Sequence, residues 1–228
     1  MNKKFLGLFL IAITFTTTAV PGLSTPMCDS LHIAARYGNV QEIEELLAAR
    51  HDVNMRGRSS MGWTPLHWAA KGGYVDCVNA LLAGKADIDA LNDDRWTPLH
   101  IASDEGKTEC VRALLEHGAN IEAKDKDGKT PLYYAVIGGF CDCVEIIVKK
   151  DANVNVKTIA GDTPLHYAIC IGYSDIATIL LEHGADVEAK DEEGKTPAML
   201  AEKYGHHELA EYLKEIAASL EIKEPDVE

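Results

Sequence analysis

The chain has 228 residues, 46% of them hydrophobic and 25% charged, with six cysteines and a formal net charge of −14 at pH 7. That composition is ordinary for a soluble protein and excludes the fibrous and disordered classes. Such an acidic balance argues against nucleic acid or anionic lipid as partners, since both recruit basic patches, and it fits a solvated, aggregation-resistant surface.

The chain opens with a short positive stretch, Met1-Asn2-Lys3-Lys4, then an apolar run of about 11 residues from Phe5 to Phe15, then small residues through Ala19. These are the three parts of a secretory signal peptide, assigned to residues 1–24, with cleavage after Ala19, Gly22 or Ser24. The run is shorter than the ~20 residues a spanning helix needs, so no membrane span is expected in the mature chain; an uncleaved anchor is the alternative. Thr25-Pro26-Met27 before Cys28 fits a lipoprotein signal poorly. The brief Lys-Lys start suggests a bacterial export signal, and a periplasmic or extracellular destination is expected. Lys3 and Lys4 are the only charges before Asp29, so removing the segment makes the rest two units more negative.

From Asp29 the sequence repeats. A degenerate copy, Asp29-Ser30-Leu31-His32-Ile33-Ala34-Ala35, precedes Thr-Pro pairs at 64–65, 97–98, 130–131, 163–164 and 196–197, each step 33 residues. Three read Thr-Pro-Leu-His in full: Thr64–His67, Thr97–His100 and Thr163–His166. A fixed period of this length points to a repeat architecture sharing one elongated core. The Thr-Pro pair predicts a helix start, because threonine can cap free N–H groups and proline is tolerated in the first turn. Gly73, Gly106, Gly139, Gly172 and Gly205 recur at 33 and end that helix, where a left-handed residue is wanted. A second helix follows with apolar residues at helical spacing, such as Val111, Leu114 and Leu115, and closes with Gly-Ala at 118–119 and 184–185. Polar hairpins such as Asp125-Lys126-Asp127-Gly128 lead to the next copy.

Two departures stand out. The first junction holds a two-residue insertion within Arg56–Ser60, since Leu31 and Leu66 are 35 apart. The fourth copy replaces the histidine with Tyr133 and the Gly-Ala pair with Asp151-Ala152, which questions the left-handed turn after Lys150. The outermost second helices, Gln41–Arg50 and His207–Leu220, are rich in glutamate, as end units with one uncovered face require.

With these motifs in register over roughly Asp29 to Ala217, the chain resembles the ankyrin-repeat proteins. The resemblance implies an all-α solenoid of stacked helix-turn-helix units with hairpin-like loops. The domain is placed at 27–217, with six repeats at about 29–61, 62–94, 95–127, 128–160, 161–193 and 194–217, followed by an acidic tail at 218–228. In this family the motif-slot histidine, here His32, His67, His100 and His166, ties adjacent loops by hydrogen bonds.

Six cysteines in an exported chain invite a disulfide reading, but Cys77, Cys110 and Cys143 are 33 apart at one inward helix position. Packed helices lie ~8–10 Å apart, too far for a bridge, so these thiols are expected to act as small apolar core residues. Cys28, Cys141 and Cys170 are the candidates for exposure. Without paired Cys-x-x-Cys spacing no metal site is indicated, and no cofactor is expected. Eight of the nine histidines fall at repeat positions, leaving His207. Once the repeat is subtracted, no nucleophile, paired-carboxylate or phosphate-loop signature remains, and an enzyme is not expected.

Members of the family bind through the concave face, made of hairpin tips and first-helix ends. Carried over by position, that face holds Met61, Trp63, Trp96, Ile137, Ile159 and Ile171, with Asp104, Glu105 and Tyr204. The fold needs no apolar side chain at those places, and exposed aromatics beside charges are the makings of a hot spot. Trp63 and Trp96 could instead pack on neighbouring hairpins. The expected function is an exported, monomeric scaffold that holds a protein partner. Two alternatives remain open: a periplasmic stress-protection factor acting on an enzyme, as for some exported bacterial ankyrin proteins, with Cys28 or Cys170 as the candidate thiols, or a secreted effector that binds a host protein.

Overall fold

The computed structural model describes residues 30–57 and 61–221. The signal segment, Cys28, Arg58–Ser60 of the insertion and residues 222–228 lie outside the described residues. Within them are twelve helices and no strand, in six successive pairs: α1 (Ser30–Tyr37) and α2 (Val40–Ala48), α3 (Pro65–Gly72) and α4 (Val75–Ala83), α5 (Pro98–Asp104) and α6 (Thr108–Glu116), α7 (Pro131–Ile137) and α8 (Cys141–Val148), α9 (Pro164–Ile171) and α10 (Ser174–Glu182), α11 (Pro197–Lys203) and α12 (His207–Glu221). α12 therefore continues into the segment assigned to the tail.

From α3 onward the first helices start in one way. The threonines at 64, 97, 130, 163 and 196 are extended, with ψ between 163 and 168°, and proline takes the first helical position. There its missing N–H costs nothing and its fixed φ suits the helix. Gly73, Gly106, Gly139, Gly172 and Gly205 take φ between 61 and 83° and end the same helices as expected. The expected doubt at the fourth copy is resolved: Asp151 itself takes φ 61°, so the left-handed turn survives without glycine.

The first helices pack in one row, α1, α3, α5, α7, α9 and α11, and the second helices α2 to α10 pack in a parallel row. Each pair touches the pairs beside it, which makes stability a sum of neighbour terms. Leu66, Leu99, Leu132 and Leu165 are fully buried between the rows. Cys77, Cys110, Cys143 and Ile176 fill one buried position of α4, α6, α8 and α10. These cysteines are free thiols in the core, as the 33-residue spacing indicated. Among the described residues no helix is long and apolar enough to cross a membrane.

Candidate protein-binding surface

The hairpins are held by a repeated set of bonds. In His67 and His100 the ring Nδ1 accepts the backbone N–H of Thr64 and Thr97 at 3.1 Å. That fixes the proton on Nε2, which donates to the carbonyl of Trp96 at 3.0 Å and of Lys129 at 3.2 Å in the following hairpin. His32 bonds the Trp63 carbonyl and His166 the Lys195 carbonyl in the same manner, so all four histidines tie loop to loop. Each of these carbonyls also receives a backbone N–H from within its own hairpin: Gly57, Asn92, Asp125 and Asp191 to Trp63, Trp96, Lys129 and Lys195.

The series breaks once. At the next carbonyl, that of Asp162, the Thr158 N–H arrives at 2.9 Å but no histidine does, because the slot holds Tyr133. Tyr133 is 4% exposed, and its hydroxyl makes no hydrogen bond to another described residue. Beside it opens a cleft of about 530 Å³ between the hairpins that precede α7 and α9. Tyr133, Tyr167, Ile137 and Ile159 supply its apolar lining; Asp127, Asp162 and Glu192 supply carboxylates. The Tyr133 and Tyr167 rings lie 5.8 Å apart. Lys129, which also lines it, is 3.6 Å from Asp127.

The residues expected at the surface divide into groups. Ile159, 70% exposed at a hairpin tip, and Ile137, half-buried at the end of α7, meet in the cleft. Met61 (59% exposed), Ile171 and Tyr204 project from the same tips and first-helix ends without entering it. Trp63 and Trp96 are half-buried and engaged by rings: Trp63 lies 4.7 Å from Trp68, and Trp96 lies 4.3 Å from Tyr134 of the next unit. Trp63 therefore packs within its own unit, and Trp96 contributes to packing between units. Asp104 and Glu105 are half-buried, with Glu105 held by Lys71 at 2.9 Å. Burial, and then Glu105, push the Asp104 carboxyl up, against the pull of Lys71.

A family model described as ankyrin repeats matches three times, over residues 26–92, 81–158 and 150–224. The chain belongs to the ankyrin-repeat family. Human oxysterol-binding protein-related protein 1 is 43% identical over 67 residues, which is 26% of this ankyrin chain and 7% of the relative. Human protein phosphatase 1 regulatory subunit 27 is 40% identical over 65 residues, 28% of this chain and 41% of the relative. Mouse ankyrin repeat domain-containing protein 40 is 36% identical over 63 residues, 28% and 17% respectively. The chain thus spans less than half the length of these relatives.

Tyr133 and Tyr167 were not among the expected surface residues of this ankyrin stack, whereas Asp127, Asp162 and Glu192 stand at hairpin positions of the expected face. The signal for Tyr133 was present in the sequence as the single Thr-Pro-Leu copy that lacks histidine. What it did not carry is the consequence: a carbonyl without its second donor, beside an open cleft.

Proposed function

We propose that this chain is an exported, non-catalytic, monomeric scaffold of six ankyrin repeats that holds a protein partner on its concave face, with residues 1–24 as the export signal. One observation carries the reading: of the exposed large apolar residues described, only Tyr74 and Tyr212 belong to the second-helix side, whereas Ile159, Met61, Ile171 and Tyr204, with Tyr37, stand at hairpin tips and first-helix ends. Burying them in the fold is not what keeps them there, and exposed apolar groups rimmed by charge mark interaction sites. The family supports a protein partner as the ligand class, and one relative is named as a regulatory subunit of a phosphatase. The thiol-based alternative gains nothing from Cys170, which is half-buried and whose thiol is pushed up by burial, leaving it a weaker nucleophile.

Site-specific crosslinking in the native compartment tests this. A photo-crosslinking residue at Ile159 or Ile171 is expected to capture the same discrete protein, whereas one at Glu116 or Lys149 on the second-helix row captures none. Equal capture from both rows, with the fold intact by circular dichroism, overturns the assignment.

A further inference from the structure

We infer that the cleft between the fourth and fifth units is a specificity pocket for an arginine side chain in an extended segment of the protein partner. This rests on the proposed function and adds the chemistry by which the partner is chosen.

In four hairpins the outermost carbonyl accepts two hydrogen bonds, one from its own hairpin and one from the preceding histidine. The Asp162 carbonyl has only the first. The side chain that stands in the histidine's place, Tyr133, is 4% exposed and lines the cleft, and its hydroxyl, unpaired among the described residues, is left to the solvent of the cleft. A half-served carbonyl and an unpaired hydroxyl beside one cleft leave hydrogen-bonding capacity that a ligand can use. Around them the cleft offers acceptors: the Asp127, Asp162 and Glu192 carboxylates as well as that carbonyl. Its one lining cation, Lys129, is already beside Asp127.

A ligand matched to the carboxylates and the carbonyl carries several donors, a positive charge and a stem able to lie on apolar walls, and the Tyr133 oxygen can accept from it as well. Arginine meets each condition. Its five N–H donors form a planar fork that can serve a carbonyl and a carboxylate together. The guanidinium stacks on tyrosine, and the methylene stem packs on isoleucine. The Tyr133 ring already has a cation near it, Lys129 Nζ at 5.9 Å from its centroid. The Asp162 carboxyl is pushed up by burial and by Asp191, Glu192 and Glu193, against the pull of His166, so a cationic ligand would relieve a crowded negative site. A net charge of −14 draws such a segment from a distance.

The test uses the full chain with isoleucine methyls labelled for NMR and a capped Gly-Ser-Arg-Ser-Gly peptide as probe. Saturable shifts of the Ile137 and Ile159 methyls are expected. Replacing the probe's arginine by citrulline, which keeps the shape and loses the charge, weakens binding by about tenfold or more, and glutamate abolishes it. Asp162→Asn, whose side chain makes no hairpin bond, weakens it similarly while the fold is kept. Tyr133→His supplies the missing tie to the Asp162 carbonyl and takes that acceptor from the ligand, so it raises the melting temperature and weakens peptide binding. Equal affinity for the arginine and citrulline probes, an unaffected Asp162→Asn variant, or no shift with any probe overturns the pocket. Crosslinking at Ile171, outside the cleft, is read separately, so the pocket can fail while partner binding on this face stands.

Discussion

Tyr134 donates its hydroxyl hydrogen to Asp125 Oδ2 at 2.6 Å, joining a first-helix residue to the hairpin before it. The other oxygen of Asp125 accepts the backbone N–H groups of Asp127 and Lys129 at 2.9 and 2.8 Å. Burial and then the Asp125 bond push the Tyr134 phenol well up, so it stays a donor at every physiological pH. Tyr134→Phe leaves a buried carboxylate oxygen unpaired and is expected to cost about 1–3 kcal/mol. Tyr167→Phe, at the equivalent place one unit on, makes no such bond and is the control. Equal urea midpoints for the two variants would refute the pairing.

The histidine ties predict a stability that depends on pH. Burial is the largest influence on His67 and His100 and, despite the bonds to the Trp96 and Lys129 carbonyls, holds both imidazoles down to about 4. Protonating Nδ1 would break its bond to the threonine N–H. The folded value lies below the unfolded ~6.5, so the unfolded chain takes up these protons first. The contribution is complete above about pH 6.5 and is lost as the pH falls through about 4, at roughly 1.4 kcal/mol per pH unit for each ring across the window. His67→Gln/His100→Gln is expected to flatten the fall by about two protons. Urea titrations between pH 7 and 4 that show identical slopes would rule this out.

The 33-residue period made the fold legible because Thr, Pro, Leu, His and Gly each serve a backbone or packing need that every unit shares. The same logic hid the cleft. Trp63 and Trp96 looked dispensable to the scaffold, yet the Trp63 ring packs on Trp68 of its own unit, and the Trp96 ring meets Tyr134 because the stack brings the next unit to it. Tyr133 was visible as a departure from the pattern, but its meaning lies in the Asp162 carbonyl, 29 residues further on. A residue before a Thr-Pro pair carries no mark of whether its carbonyl is served once or twice.

Several non-glycine residues hold conformations that favour glycine. At hairpin tips Gly128, Gly161 and Gly194 have φ of 78, 76 and 75°, and Arg95 sits at the equivalent place with φ 64°. After the second helices Lys85 and Asp151 take φ 67 and 61° where Gly118 and Gly184 stand in other units. A left-handed residue with a Cβ costs roughly 1–2 kcal/mol, less for aspartate, so Arg95→Gly and Lys85→Gly should each stabilise by up to about 1 kcal/mol after the entropy glycine returns to the unfolded chain. Gly161→Ala should do the reverse, since its Cβ would lie 2.9 Å from the Glu192 backbone nitrogen. Thermal melts with the signs exchanged would contradict this.

Cys77, Cys110 and Cys143 are buried and free at one position in three successive second helices. Burial pushes Cys110 up to about 12 and raises Cys77 and Cys143 as well, so little thiolate forms near neutrality. Since the thiolate is the reactive species, a thiol reagent should modify these three only when the stack opens. Their modification is expected to follow global unfolding in urea, with half-buried Cys141 and Cys170 reacting sooner. Because each unit leans on its neighbours, Cys110→Leu should overpack α6 against both α4 and α8 and destabilise by about 1–3 kcal/mol, whereas Cys110→Val, nearer in volume, should cost less. Rapid labelling of Cys110 in the native protein would show that the second-helix row opens independently of the first.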